Sequence, residues 1–115
     1  MRGGKAMNRS FFIAGVQFRP THEIKRAMIK IKKGDNLMLE SEPTNRYDPN
    51  AVKIIFADGS GGLEMIFLGY VPKKFSAEVS ALLEAGVELE CVVEEANSAA
   101  NPWEACKVVV REVEE

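Results

Sequence analysis

Glu42-Pro43-Thr44-Asn45-Arg46-Tyr47-Asp48-Pro49-Asn50-Ala51-Val52-Lys53 decides how this chain of 115 residues is read. Proline cannot donate to a β-ladder, and Asn and Asp side chains bond to their own backbone, so Pro43 to Asn50 must be a loop. Both flanks are extended. Leu37 and Leu39 alternate with polar neighbours through Glu42, and Val52, Ile54 and Phe56 share one face of the run Ala51 to Phe56. The unit is therefore two half-buried strands joined by an ordered loop.

The same reasoning extends in both directions. Phe11 to Phe18 is aromatic and β-branched, a strand with Gly15 as a bulge or close-packing point, ended by Arg19-Pro20-Thr21. His22 to Lys33 carries two periods. Ile24, Ala27, Met28 and Ile31 are spaced helically, while Ile29 to Lys32 alternates, so a short helix or turn followed by a brief extended piece is expected. Gly34-Asp35 marks a turn. Asp58-Gly59-Ser60-Gly61-Gly62 marks a hairpin connection into a strand over Leu63 to Val71. Pro72 opens a helix over Lys73 to Ala85, with Phe75, Val79, Leu82 and Leu83 as its apolar stripe and Gly86 just past its end. Strands over Val87 to Glu95 and Trp103 to Val113 flank a loop, Ala96 to Pro102. Short strands with frequent turns and a late helix predict a mainly β, α+β fold with one or two short helices, a small OB-like β-barrel. Residues 1–10 are expected to form a frayed basic arm, and residues 11–115 the barrel domain.

Composition bounds the function. At 12.7 kDa, with 46% hydrophobic and 28% charged residues, the chain has the make-up of one globular domain. Its apolar runs are far shorter than the roughly 20 residues of a membrane span, and the first ten residues lack an apolar signal core, so a cytoplasmic protein is expected. Cys91 and Cys106 make neither a disulfide framework nor a zinc site, and His22 is the single histidine, so no metal or cofactor is expected. No nucleophile–base arrangement, phosphate-cradling glycine motif or carboxylate cluster supports catalysis, so the expectation is a protein that is not an enzyme.

The net charge of -2 conceals a gradient. Residues 1–33 carry +8, residues 34–75 carry -2 and residues 76–115 carry -8. Two readings are open: a polyanionic partner for the basic end, or neutralisation between neighbouring strands.

Tyr47-Asp48 is the part of the loop that turn chemistry explains least, an aromatic and a carboxylate together at a strand rim. With its neighbours it resembles the HIRAN domain signature, in which Asn-x-Tyr-Asp-x-Asn-Ala precedes a strand. Ala14-Gly15-Val16-Gln17-Phe18-Arg19-Pro20 resembles that family's opening strand. Gly34-Asp35-Asn36-Leu37-Met38-Leu39-Glu40 resembles its second block, and Leu68-Gly69-Tyr70-Val71-Pro72-Lys73 its step into a helix. The four stand in the family's order across residues 11–113. Gln17 departs from the pattern, since the family can place a basic residue before the aromatic; Arg19 follows it instead.

The resemblance implies an OB-like barrel that binds single-stranded DNA at its 3′ end, in DNA repair or replication. By motif position, Asp48 would accept from the 3′-hydroxyl, Tyr47 would contact the terminal nucleotide and Phe18 would offer a stacking face. Arg19, Arg46, Tyr70 and Lys73 would contact phosphates. The resemblance also implies a stand-alone form of the domain, with a helicase or nuclease as a possible protein partner. Structural roles compete at two of these positions, a core residue at Phe18 and a packing tyrosine at Tyr70, and Trp103 is read as a core or barrel-end anchor over a base-stacking ring. The rival function is a protein-interaction adaptor that keeps the barrel without binding nucleic acid.

Overall fold

The computed structural model describes residues 6–59 and 64–113. Its strands are β1 (Asn8–Phe12), β2 (Asn36–Ser41), β3 (Val52–Asp58), β4 (Glu64–Tyr70), β5 (Leu89–Ala96) and β6 (Cys106–Glu112). Two helices, α1 (Thr21–Lys30) and α2 (Lys73–Glu84), and two 3-10 turns, Val16–Phe18 and Pro102–Glu104, complete it. The strands form one antiparallel sheet in the order β1-β6-β5-β2-β3-β4. The α+β class matches the expectation from sequence. Closure into a barrel is not confirmed, because among the described residues no strand ladder joins the two edges.

The edges do meet at one point. Ala14 and Tyr70 exchange both backbone hydrogen bonds, at 2.9 and 2.8 Å, in an isolated bridge. The strand expected over Phe11 to Phe18 stops at Phe12, and beyond the bridge Gly15 adopts φ +77° and starts the first 3-10 turn. That left-handed backbone favours glycine and turns the chain away before a longer ladder can form. The expected bulge is thus a corner. Part of the stretch expected as a basic arm is folded into the sheet. Asn8 to Ser10 pair with Arg111 to Val109 of β6, and Met7 is buried; residues 1–5 lie outside the described residues.

Gly69 allows the bridge. A Cβ there would lie 2.3 Å from the Ala14 carbonyl oxygen and 2.9 Å from Ile13 Cγ2. A register shift at Ile54/Ile55 leaves Leu68 as the extra residue of β4, since Ile54 faces Gly69 and Ile55 faces Phe67. This bulge places Phe67 and Tyr70 edge to face at 5.2 Å, although residues three apart on a regular strand point to opposite sides.

The inner faces of the strands supply most of the core: Val52, Ile54, Ile66, Leu68, Val93, Val108 and Val110, with Ile13 just past β1, are almost wholly buried. α2 adds Val79, and Phe75, Leu82 and Leu83 pack against the same cluster, the stripe expected from the sequence. Phe75 stacks on Phe11 at 5.7 Å. Each such side chain contributes about 1.5–3 kcal/mol by leaving water. Ion pairs link neighbouring elements, and of the three that follow only Arg9–Glu78 joins the basic end of the chain to the acidic end. Arg111 pairs with Glu90 at 2.6 Å, Lys107 with Glu95 at 3.9 Å, and Arg9 with Glu78 at 2.9 Å.

Gly69→Ala is expected to cost about 1–3 kcal/mol or more, because the new methyl meets backbone that cannot yield. Gly59→Ala, where a Cβ meets nothing within 4 Å, is expected to stay within about 0.5 kcal/mol of the parent. Urea denaturation of the two variants reads the difference.

Candidate nucleic-acid interface

The loop between β2 and β3 is organised by one side chain, Asn45. Its Oδ1 accepts the backbone N–H groups of Tyr47 and Asp48 at 2.9 and 3.0 Å. Its Nδ2 donates to Glu42 Oε1 at 2.7 Å and to the Tyr70 hydroxyl oxygen at 3.3 Å. The Tyr70 hydroxyl donates in turn to Glu42 Oε1 at 2.8 Å. Asn45 thus folds the loop on one side and ties it to the end of β4 on the other. The backbone closes the base, with Glu42 N–H on the Ala51 carbonyl at 2.8 Å and Ala51 N–H on the Asp48 carbonyl at 3.0 Å.

These contacts set the protonation states. The Asn45 hydrogen bond, helped by Tyr70 and Lys53, holds the Glu42 carboxyl below its ordinary range against the opposing effect of burial. Burial, together with the hydrogen bond and charge of Glu42, pushes the Tyr70 hydroxyl up. Asp48 Oδ2 accepts from the buried Ser76 hydroxyl on α2 at 2.7 Å, and Oδ1 accepts the Asn50 N–H at 2.9 Å. The Ser76 bond, then the Asn50 bond, and the nearby charge of Lys73 hold Asp48 below the usual aspartate range. A carboxylate offers about four acceptor positions, so Asp48 keeps room for further donors.

Tyr47, Asp48, Tyr70 and Lys73 line one open depression of about 270 Å³, with Asn45, Ala51 and Val71 around them and Ala14 and Gly15 opposite. The bridge between the sheet edges forms part of its wall. Tyr47 is 84% exposed, so its ring is free to meet a ligand. The Tyr70 hydroxyl is spent on Glu42, which leaves the ring as this residue's contribution to the wall.

The other three candidates stand apart from the depression. Phe18 is 82% exposed at the end of its 3-10 turn, which removes the core reading, yet it does not line the depression. Arg19 lays its guanidinium 4.0 Å from the Phe67 ring centroid and donates from Nε to the Phe67 carbonyl at 3.1 Å. Arg46 is exposed beside Tyr47. Two further aromatics, Phe12, which the sequence reading passed over, and Trp103, are also open to solvent. Phe12 shares the outward side of its strand with Ala14, and Lys107 lies 5.9 Å over its ring. Trp103 is 52% exposed on a 3-10 turn that packs against the turn bearing Phe18, so it is not the core anchor expected. The Phe11-buried, Phe12-exposed alternation was available as a signal for the first.

Residues 8–112 match the family model of the HIRAN domain. The chain belongs to the HIRAN domain family. HIRAN domains are DNA-binding modules, and the family match covers nearly all of the chain. A protein from Lactobacillus plantarum shares the fold with a TM-score of 0.73 at 18% identity, over 96% of this chain and 95% of that one. The HIRAN domain of human HLTF shares it with a TM-score of 0.59 at 14% identity, over 93% of this chain and 74% of that one. A comparison with curated proteins finds no match. Among the described residues of this HIRAN chain, no cluster of His, Cys, Asp and Glu is placed to hold a metal, and no helix is long and apolar enough to cross a membrane.

Because Asp48 is held below its ordinary value of 3.8, its contribution to stability is fully present above that pH and is lost as pH falls through the depressed value. Ser76→Ala removes the largest cause. The Asp48 carboxyl is then expected to titrate closer to 3.8, and acid unfolding to begin at higher pH. Carbon-detected NMR titration of Asp48 and acid unfolding followed by circular dichroism check the two.

Proposed function

We propose that this HIRAN chain is a non-catalytic module that captures single-stranded DNA by its 3′-hydroxyl end. The observation that carries the reading is the convergence of an exposed aromatic, a low-pKa carboxylate and an ammonium group on one depression. A lone carboxylate repels phosphate. Beside a DNA strand it is favourable only where a donor meets it, and the 3′-hydroxyl is the donor that a strand end has and continuous backbone lacks.

In this reading Tyr47 stacks on the terminal base, a contact worth about 1–3 kcal/mol and indifferent to sequence. Asp48 accepts from the 3′-hydroxyl through a lone pair that Ser76 and Asn50 leave open. Lys73, in the first turn of α2, faces the last phosphates, where the positive end of the helix dipole adds to its charge. Tyr70 acts as a positioning residue, since its hydroxyl holds the loop through Glu42. Arg46, beside Tyr47, meets the next phosphate outward. Phe18, Phe12 and Trp103 supply exposed ring faces for bases further up the strand.

Fluorescence anisotropy with short single strands tests the reading. A 3′-hydroxyl strand is expected to bind about tenfold or more tighter than its 3′-phosphate counterpart, consistent with a charged hydrogen bond worth about 1.5–3 kcal/mol. Asp48→Asn is expected to erase most of that preference, and Lys73→Ala to reduce the salt slope by about one. Equal affinity for the two strand ends by the parent protein would overturn end recognition.

A further inference from the structure

A second concavity lies on the far side of the first 3-10 turn. A groove of about 440 Å³ runs between α1 and the segment leading into the second 3-10 turn. Its walls include Val16, Ile24, Met28 and Ile29 on one side and Ala100 and Pro102 on the other. Ile29 is 77% exposed, an aliphatic side chain left in water on the groove wall. The charged lining consists of Arg19 and Lys25, with no carboxylate. Elsewhere on α1, Arg26 is paired with Glu64 and Lys30 with Asp58. Lys25 has no ion pair among the described residues.

We propose that this groove docks a peptide segment of a partner protein, an apolar anchor side chain flanked by Asp or Glu. The proposal goes beyond DNA end capture and does not depend on it. Charge complementarity selects the flanks: a cationic rim without carboxylates attracts acidic residues and repels basic ones. The lining selects a peptide over nucleic acid. No aromatic ring lines the groove, and unpaired bases bind chiefly by stacking on rings, whereas an aliphatic slot takes a Leu, Ile or Phe side chain in the manner of other groove-bound peptides. The groove also falls within the size range of preformed binding sites.

Selection from a displayed library of random peptides about twelve residues long tests the proposal on the whole chain. Enriched peptides are expected to share an apolar residue flanked by Asp or Glu. Their synthetic versions should bind about tenfold more weakly to Ile29→Ser and to Lys25→Glu, with the variants' melting temperatures kept. Ile29→Ser should leave oligonucleotide affinity unchanged. The peptides should shift the amide resonances of Ile24, Lys25 and Ile29. No enrichment, enrichment of basic peptides, or binding indifferent to Ile29→Ser would overturn it. So would an oligonucleotide that shifts those same resonances, which would make the groove a nucleic-acid surface.

Discussion

The contact between Ala14 and Tyr70 is only two hydrogen bonds, but the candidate site depends on it. The two edges of the sheet approach there closely enough that a methyl group on Gly69 has no room. Holding Tyr70 at that point aims its ring at the β2–β3 loop, where its hydroxyl reaches Glu42 and Asn45. Asn45 then fixes the amides of Tyr47 and Asp48, and α2, entered two residues after Tyr70, brings Ser76 to Asp48. Each group in the depression is thus traced back to the meeting of two strand ends. A sheet with splayed edges would keep its core and lose this arrangement.

The elements visible in the sequence were those with a strong local period. The α2 stripe, the alternation of β3 and β5 and the breaker-rich loop each follow from residues close together in the chain. The strand read over Phe11 to Phe18 failed for a local reason of another kind, since one left-handed glycine turned an aromatic run into a corner. Barrel closure, which the structure does not confirm, is a long-range matter. Whether two edges pair depends on where each strand stops, and no periodicity encodes that. The register shift that sets Phe67 against Tyr70 is likewise invisible in a chain whose apolar residues run on without a break from Met65 to Leu68.

The loop that the motif singles out lines an open depression, but its residues divide their roles differently from the motif reading. Tyr47, Asp48, Tyr70 and Lys73 come together there. Phe18, Arg19 and Arg46 sit outside the depression. Tyr70 shows why residue type alone is insufficient: a tyrosine beside a binding loop can face a ligand or hold the loop, and the difference is where its proton goes. Here it goes to Glu42. Asn45 is the reverse case. It looked like ordinary turn chemistry and proves to be the joint between loop and sheet.

The same arrangement explains how one carboxylate can serve both structure and recognition. Asp48 is ionised because donors from α2 and from its own loop face it, and those donors are present whether or not a ligand is bound. In the proposed reading its charge is stabilised before a DNA end arrives. A strand end would then add one more donor to a carboxylate with acceptor capacity to spare, while continuous backbone would add only repulsion. The uneven charge of the chain follows the same economy. Arg111 and Lys107 pair with two of the ten carboxylates of the acidic C-terminal third, while Lys73 lines the depression. Holding one strand end, as proposed, would call for a few local cations and not for the broad basic surface that coating a duplex would require, which a net charge of -2 accommodates.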